Sequence, residues 1–271
     1  MSELAFDLRS VRFRRQLFLR VVHYTIWVCD DPSVLGPHKL ARVLWYVDRM
    51  TFVALGEPLT GATYIKHRAA PMPKALAAGL EALARAGLIA VRPATAKSEA
   101  PRFFALSEPD LGGMPGESIS RLEQAIRHVC FGGAAKARDF QAHDRMASIA
   151  RLGEAIPYVS ALAGVEGDVT TAELSWAVAV LEDPQSAADA QLSAQLQAID
   201  RAACAGLLWH LERDPDAGLA IPTASESVFI HKQAPAPGSR ARAVIAVYRF
   251  DLDELDVLAW RFGDMTDPTD A

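Results

Sequence analysis

The clearest apolar pattern in the chain runs from Lys39 to Met50. Its apolar residues are spaced three and four positions apart: Leu40, Val43, Leu44, Val47 and Met50. That spacing is typical of one buried face of a helix. Gly56 follows where the helix is expected to end, since glycine adopts the left-handed conformation at low cost. The pattern therefore predicts a helix that ends at Gly56 and anchors a core.

Similar patterns predict further helices and a few short strands. The predicted helices span residues 8–29, 73–86, 118–131 (with Ser118 as N-cap) and 134–152, then a helix from Thr170 or Thr171 to 181 and one from Ser186 or Ala188 to 212. A last helix is capped by Asp251, with Leu255, Leu258, Ala259 and Phe262 inward. The predicted strands span residues 88–91, 102–106, 228–230 and 243–250. Helices outnumber strands, so we expect a mainly α (α+β) fold.

The order of elements between residues 73 and 106 is informative. A helix, a glycine, a strand, a polar loop over 93–101 and a second strand follow one another, which is the order of a winged-helix unit. We expect a helical N-terminal domain with a winged-helix-like two-stranded hairpin over residues 1–164. A smaller α+β region over 165–271 would contain helices, a small β-hairpin and the final helix, with the boundary between Gly164 and Asp168.

Bulk composition is that of an ordinary globular protein. Hydrophobic residues make up 51% and charged residues 23% of 271 positions, with a net charge of −5. No apolar run approaches the length of a membrane span, which is about 18 residues. The three cysteines, Cys29, Cys130 and Cys204, are widely separated in apolar helical contexts. We expect a cytoplasmic protein with buried, reduced thiols.

Charge is unevenly distributed. Residues 66–102 hold seven basic and two acidic side chains, a balance of +5, whereas residues 251–271 hold seven acidic side chains and one basic one, a balance of −6. The basic segment is open to three interpretations beyond a solvated surface. It would contact an acidic protein, DNA, or the acidic C-terminal tail of the same chain.

Motifs for common catalytic and cofactor chemistry are missing. The chain lacks a phosphate-binding glycine loop, a dinucleotide fingerprint, a zinc-protease helix and a serine-hydrolase elbow. We therefore expect no metal, no cofactor and no enzymatic activity. An enzyme of another type would need converging polar groups, for which the chain offers Tyr46, Asp48, Arg49, Thr60, Tyr64 and His143.

Several sequence blocks are more specific than periodicity. The chain contains K-L-x-x-x-L-W-Y-V-D-R-M from Lys39, then G-E-P-L-T-G-A-T-Y-I-K-H-R-A-A-P-M-P from Gly56, and then G-L-I. Farther on, His143 is followed by G-E-A-I-P-Y from Gly153. In order and spacing these blocks resemble the Panacea domain, the SocA-like antitoxin family, over roughly residues 15–163.

The resemblance implies a function in protein binding. Members of that family bind and neutralise a protein toxin encoded nearby. Some members also hand that toxin to an ATP-dependent protease. On this view we expect the partner-binding residues to be Tyr46, Asp48, Arg49, Thr60, Tyr64, Lys66, Arg68, Lys74 and His143. The alternative is a winged-helix-like transcriptional regulator that inserts the 73–86 helix into the major groove, with the 93–101 loop as its wing.

Overall fold

A computed structural model describes residues 11–68, 70–94, 100–132, 148–163, 165–183, 197–222, 227–251 and 254–263. The chain divides into two compact units, which we call the N-terminal unit, Leu8–Tyr158, and the C-terminal unit, Val159–Ala271. Each unit combines helices with an antiparallel sheet.

Four described helices form most of the N-terminal unit. They are α1 (Arg15–Val28), α2 (Pro37–Leu55), α3 (Leu76–Arg85) and α4 (Gly116–Phe131). Helix α2 is central: Leu40, Val43, Leu44, Trp45 and Val47 have no exposed surface. It begins with proline at its first position and ends at Gly56, which adopts a left-handed φ of 77° as predicted.

Two small sheets complete the N-terminal unit. In the first, β1 (Tyr64–Lys66) lies between β2 (Pro71–Pro73) and β5 (Ala155–Ile156), and both pairings are antiparallel. The second is a hairpin of β3 (Ile89–Arg92) and β4 (Arg102–Ala105). The first sheet brings residues near position 155 against the chain that follows α2, which positions the candidate site described below.

The C-terminal unit is a four-stranded antiparallel meander with two described α-helices. The strands are β6 (Leu219–Ile221), β7 (Val228–Gln233), β8 (Val244–Asp251) and β9 (Glu254–Phe262), and the helices are α5 (Thr171–Glu182) and α6 (Ala198–Leu211). Thr170 and Glu173 form the reciprocal hydrogen bonds of a capping box at the start of α5. Ala177, Val180, Ile230, Ile245 and Val247 lie in its core.

The predicted mainly α class is wrong. The described residues form six α-helices and nine strands in three sheets, so the chain is a mixed α/β protein. The N-terminal unit is not a helical domain, because two sheets take part in its framework. The sequence missed β1, β2 and β5 as paired strands because they are only two or three residues long.

The predicted final helix is a strand. Residues 254–262 form β9, and Asp251 pairs with Glu254 instead of capping a helix. A bulge shifts the register between Val247 and Tyr248, so that Val247 pairs with Ala259 and Tyr248 pairs with Val257. A bulge resets the in-and-out alternation of a strand. Apolar side chains then occupy both odd and even positions, which imitates helical spacing.

Helix boundaries differ elsewhere too. Helix α4 begins at Gly116, two residues before the predicted N-cap Ser118, whose side chain is buried. The first part of the predicted 186–212 helix and most of the predicted 134–152 helix lie outside the described residues, as do 264–271 of the acidic tail.

Candidate functional site

The candidate site begins with an aspartate on the buried face of α2. Asp48 lies three residues after Trp45 and four after Leu44, so the helix directs all three side chains toward the core. Its side chain has no exposed surface. An isolated buried carboxylate is costly. Its surroundings must therefore supply hydrogen-bond donors.

The chain after α2 supplies two of those donors. Gly56 turns the backbone, and Thr60 donates its N–H to Asp48 Oδ1 and its hydroxyl to Asp48 Oδ2, both at 2.5 Å. The Thr60 hydroxyl also accepts the N–H of Ala62 at 3.2 Å. This short segment is thus fixed to α2 through one carboxylate.

Two tyrosines complete the network. The Tyr64 hydroxyl lies 2.8 Å from Asp48 Oδ2, and the Tyr158 hydroxyl lies 3.2 Å from the same oxygen. Tyr158 also donates to the carbonyl of Ala62 at 2.6 Å. Asp48 therefore joins the helix, the segment that follows it and a residue 110 positions away in the sequence. We call Asp48, Thr60, Tyr64 and Tyr158 the carboxylate network.

Burial controls the electrostatics of this network. It raises the pKa of Asp48, and the hydrogen bonds from Thr60, Tyr64 and Tyr158 oppose that shift. Burial also raises the pKa of Tyr64 and of Tyr158, and the nearby Asp48 charge raises both further. Both phenols therefore stay protonated near neutral pH and remain available as donors.

Aromatic rings enclose the carboxylate network. The Trp45 ring meets the Tyr64 ring edge-on at 4.9 Å, and Phe52 stacks beside Tyr158 at 5.8 Å between ring centres. A carboxylate in such an enclosure has no path to a substrate in this conformation. Its physical effect is to hold the segment after α2 in place.

Three predicted partner-binding residues are thus interior. Asp48 and Thr60 have no exposed surface and Tyr64 is 1% exposed, so contact with a partner is incompatible with their burial here. The sequence missed Tyr158 as a member of this group, although it belongs to the same G-E-A-I-P-Y block that suggested the resemblance. Pairing of β5 with β1 brings it into place.

The remaining predicted residues lie nearer the surface. Tyr46 is half-buried and stacks on His128 of α4, with ring centres 5.4 Å apart, and Arg49 is half-buried on α2. Lys66 is half-buried and its Nζ contacts the Ser148 carbonyl at 3.4 Å. His143 lies outside the described residues.

The β1–β2 hairpin carries an exposed basic surface. Lys66 ends β1, Arg68 lies in the connection, and Lys74 immediately follows β2; Arg68 and Lys74 are exposed. The Lys74 N–H donates to the Thr63 carbonyl at 2.9 Å, which fixes the backbone on which its side chain sits. We call Lys66, Arg68 and Lys74 the basic surface.

A shallow pocket lies elsewhere in the N-terminal unit. It encloses about 290 Å³ between the end of α1 and β4, and its lining includes Trp27, Asp30, Phe104 and Glu108. None of the polar residues proposed for an enzyme lines it. No group of three or more metal-binding side chains occurs among the described residues, and no described helix has the length and hydropathy to cross a membrane.

Comparison with protein-family models, with characterised proteins and with solved structures finds no match for this chain. The resemblance to Panacea domains therefore remains a prediction from the sequence blocks.

Proposed function

We propose that this chain is an antitoxin-like cytoplasmic protein that binds and neutralises a cognate protein toxin encoded nearby. The observation that carries the proposal is a contrast between buried and exposed polar residues within one segment of the chain. The polar residues Thr60 and Tyr64 turn inward to Asp48, whereas Arg68 and Lys74 on the adjoining hairpin point to solvent.

A rigid support makes the basic surface suitable for recognition. The carboxylate network fixes the backbone from Thr60 to Tyr64, and β1 continues from it between two partner strands. Charged groups on an ordered backbone lose less conformational freedom on binding than groups on a mobile one. Complementary charge then favours an acidic partner and accelerates encounter.

The adaptor role is a second part of the same proposal. A protein that hands its toxin to an ATP-dependent protease must expose a second surface while the toxin is bound. That part predicts faster toxin turnover in cells that contain the protein and the protease than in cells that lack either one.

DNA binding is the second candidate, and the β3–β4 hairpin favours it. Arg92 and Arg102 are directly opposite one another in the register, and both are exposed. Like charges in directly opposed positions are unfavourable. A phosphate backbone would relieve that repulsion. Such binding must weaken steeply with salt, so a gel-shift with the promoter of the chain's own operon at two salt concentrations tests it.

Co-expression with each neighbouring gene tests the main proposal. We expect one neighbour to be toxic alone, to be tolerated with this chain present, and to co-purify with it. If no neighbour is toxic, or if toxicity persists in the presence of this chain, the proposal fails.

A charge-reversal pair locates the interface. The double variant Arg68→Glu and Lys74→Glu should lose rescue and weaken the complex by roughly tenfold or more, as expected for close interfacial charges. The matched control, Arg15→Glu and Arg240→Glu, changes the net charge equally at exposed positions elsewhere. Equal rescue by both double variants would exclude the basic surface as the docking site.

A further inference from the structure

The pocket at the end of α1 lies along one edge of strand β4. Its lining combines residues 103–108 with Ile26, Trp27 and Asp30, which belong to α1 and the chain just after it. Successive side chains of a strand point to opposite faces, so a pocket lined by both Phe103 and Phe104 lies at an edge of the strand. Strand β3, which the structure describes throughout, contributes no residue to the lining. The pocket therefore lies at the edge of β4 that faces away from β3, which we call the outer edge.

The outer edge presents backbone groups to a further strand. Leu106 donates its N–H to the Leu88 carbonyl at 2.9 Å, directly beside the pairing of Ala105 with Ile89. Hydrogen-bonded and non-bonded pairs alternate along an antiparallel ladder, so the N–H and C=O groups of Phe103 and Ala105 point away from β3. No described strand pairs with this side of β4. An open strand edge is a template for pairing with an extended segment of another chain.

The pocket beside this edge combines apolar surface with carboxylates. Trp27 is 42% exposed and Leu106 is 60% exposed, so both present apolar surface to solvent. Asp30 and Glu108 are exposed as well, and neither forms an ion pair or a side-chain hydrogen bond with a described residue. A tryptophan ring attracts cations, and carboxylates form their strongest hydrogen bonds with them. The lining therefore favours a positively charged occupant.

The basic side chains nearby already have favourable interactions of their own. The guanidinium carbon of Arg92 lies 5.2 Å from the centre of the Phe104 ring. Hydrogen bonds from Ser33, and after them the charge of Arg102, lower the pKa of Asp31. The two carboxylates of the pocket are thus left to attract a basic partner.

The size of the pocket favours a single side chain over a small-molecule ligand. Its volume of about 290 Å³ lies just below the range of about 300–1,000 Å³ that is typical of small-molecule sites. A lysine or arginine side chain could lay its apolar stem against Trp27 and Leu106 and keep its charge at the carboxylates.

We propose that the outer edge of β4 binds an extended, basic segment of a partner protein. The segment adds a strand to the β3–β4 hairpin and places a lysine or arginine side chain in the pocket that Asp30 and Glu108 line. The site shares no residue with the basic surface and attracts the opposite charge, so it does not depend on the antitoxin proposal.

Selection from a library of short random peptides tests the class of partner. Peptides selected on the immobilised full-length chain should be enriched in sequences that alternate lysine or arginine with β-branched residues, which favour extended structure. Enrichment of acidic peptides or of amphipathic helical ones, or no enrichment at all, would overturn the proposal.

Charge reversal locates the binding site of the selected peptide. The double variant Asp30→Lys and Glu108→Lys should weaken binding by roughly tenfold or more, as measured by fluorescence anisotropy of the labelled peptide. The matched control, Glu81→Lys and Glu182→Lys, changes the net charge equally at exposed positions outside the pocket and should bind as wild type does. Equal affinity of the two double variants would show that the peptide binds elsewhere and would overturn the proposal.

Amide hydrogen exchange tests the added strand. When the selected peptide binds, the N–H groups of Phe103 and Ala105 should exchange about tenfold more slowly or less, because each acquires an acceptor. The amides of residues 76–85 in α3 serve as the internal control and should be unchanged. Binding that leaves both edge amides unprotected would exclude strand addition and overturn the proposal.

Discussion

Replacement of Asp48 by alanine is the sharpest test of the carboxylate network. The change removes the acceptor for the Thr60 N–H, the Thr60 hydroxyl and the Tyr64 hydroxyl. Tyr158 is less affected, because its proton also has the Ala62 carbonyl at 2.6 Å. The backbone N–H of Thr60 is the most exacting of these groups, since it cannot rotate toward another acceptor.

The magnitude follows from the number of donors left unpaired. Each buried donor without a partner costs about 1–3 kcal/mol. Three such donors together would cost about three times as much, but two effects reduce this loss of stability. The hydroxyls can rotate, and removing Asp48 also removes the cost of burying a carboxylate, which is the cost that raises its pKa. We expect a net loss of about 3–5 kcal/mol, which is the cost of the three unpaired donors less these two effects.

Asparagine gives an intermediate case. Asp48→Asn keeps an oxygen for the Thr60 N–H and has almost the same volume, but it presents an NH₂ group where Oδ2 accepts hydroxyl protons. Hydroxyls can accept as well as donate. The expected loss is therefore about 1–2 kcal/mol, that of one or two weakened hydrogen bonds.

Native-state hydrogen exchange is the appropriate measurement, because two compact units need not unfold together. The amides of residues 59–66 report the opening free energy of the segment that Asp48 holds. The control is Asp110→Ala, which removes an exposed ion pair with Arg20 and should cost less than about 1 kcal/mol. A loss below about 1 kcal/mol for Asp48→Ala, or no difference from the Asp110 control, would refute the reasoning.

The same residue predicts a pH dependence. Burial raises the pKa of Asp48 above its ordinary value of 3.8, so the folded chain binds its proton more tightly than the unfolded chain does. Its contribution is complete below that value and is lost as pH rises toward the folded-state pKa. The stability difference between wild type and Asp48→Asn should therefore shrink as pH rises above about 4. A difference that grows over this range would contradict the sign.

Three further predictions concern a buried ion pair and two glycines. Lys232→Met should destabilise the C-terminal unit by about 3–5 kcal/mol, because it leaves fully buried Glu173 without the ammonium group 2.9 Å away. Adding Glu173→Gln should recover part of this loss. Urea denaturation of the single and double variants measures both effects. Gly206→Ala should cost more than about 2 kcal/mol by the same assay, since a Cβ there would collide with the Val159 carbonyl. Gly56→Ala should cost only about 1 kcal/mol, because a Cβ there would meet no neighbouring atom and only the positive φ is unfavourable. Equal losses of stability at the two glycines would contradict the steric argument.

Local rules predicted the elements that depend on neighbouring residues. The apolar spacing of α2 and its glycine stop are both set within a few positions, and the structure confirms them. The β3–β4 hairpin was similarly visible because its strands are separated by a short polar loop. Such features need no knowledge of distant parts of the chain.

Features that depend on distant pairing could not be predicted in this way. Asp48 looks like a polar residue free for binding until Thr60, Tyr64 and Tyr158 are brought to it, and the last of these requires the β1–β5 pairing. Strand β9 was mistaken for a helix because its pattern is set by a bulge against β8.

The burial of Asp48 also changes how binding experiments on this chain should be interpreted. If Asp48 acts only by holding the segment before β1, its variants should lose partner binding in proportion to the fraction unfolded, and binding should recover under conditions that restore the fold. Variants of Arg68 and Lys74 should instead weaken binding while hydrogen exchange in residues 59–66 is unchanged, because both side chains are exposed. The two sets of variants therefore separate the support of the proposed docking surface from the surface itself. If a fully folded Asp48→Asn protein lost binding, the carboxylate would have to reach the partner through a rearrangement of α2 and the segment that follows it.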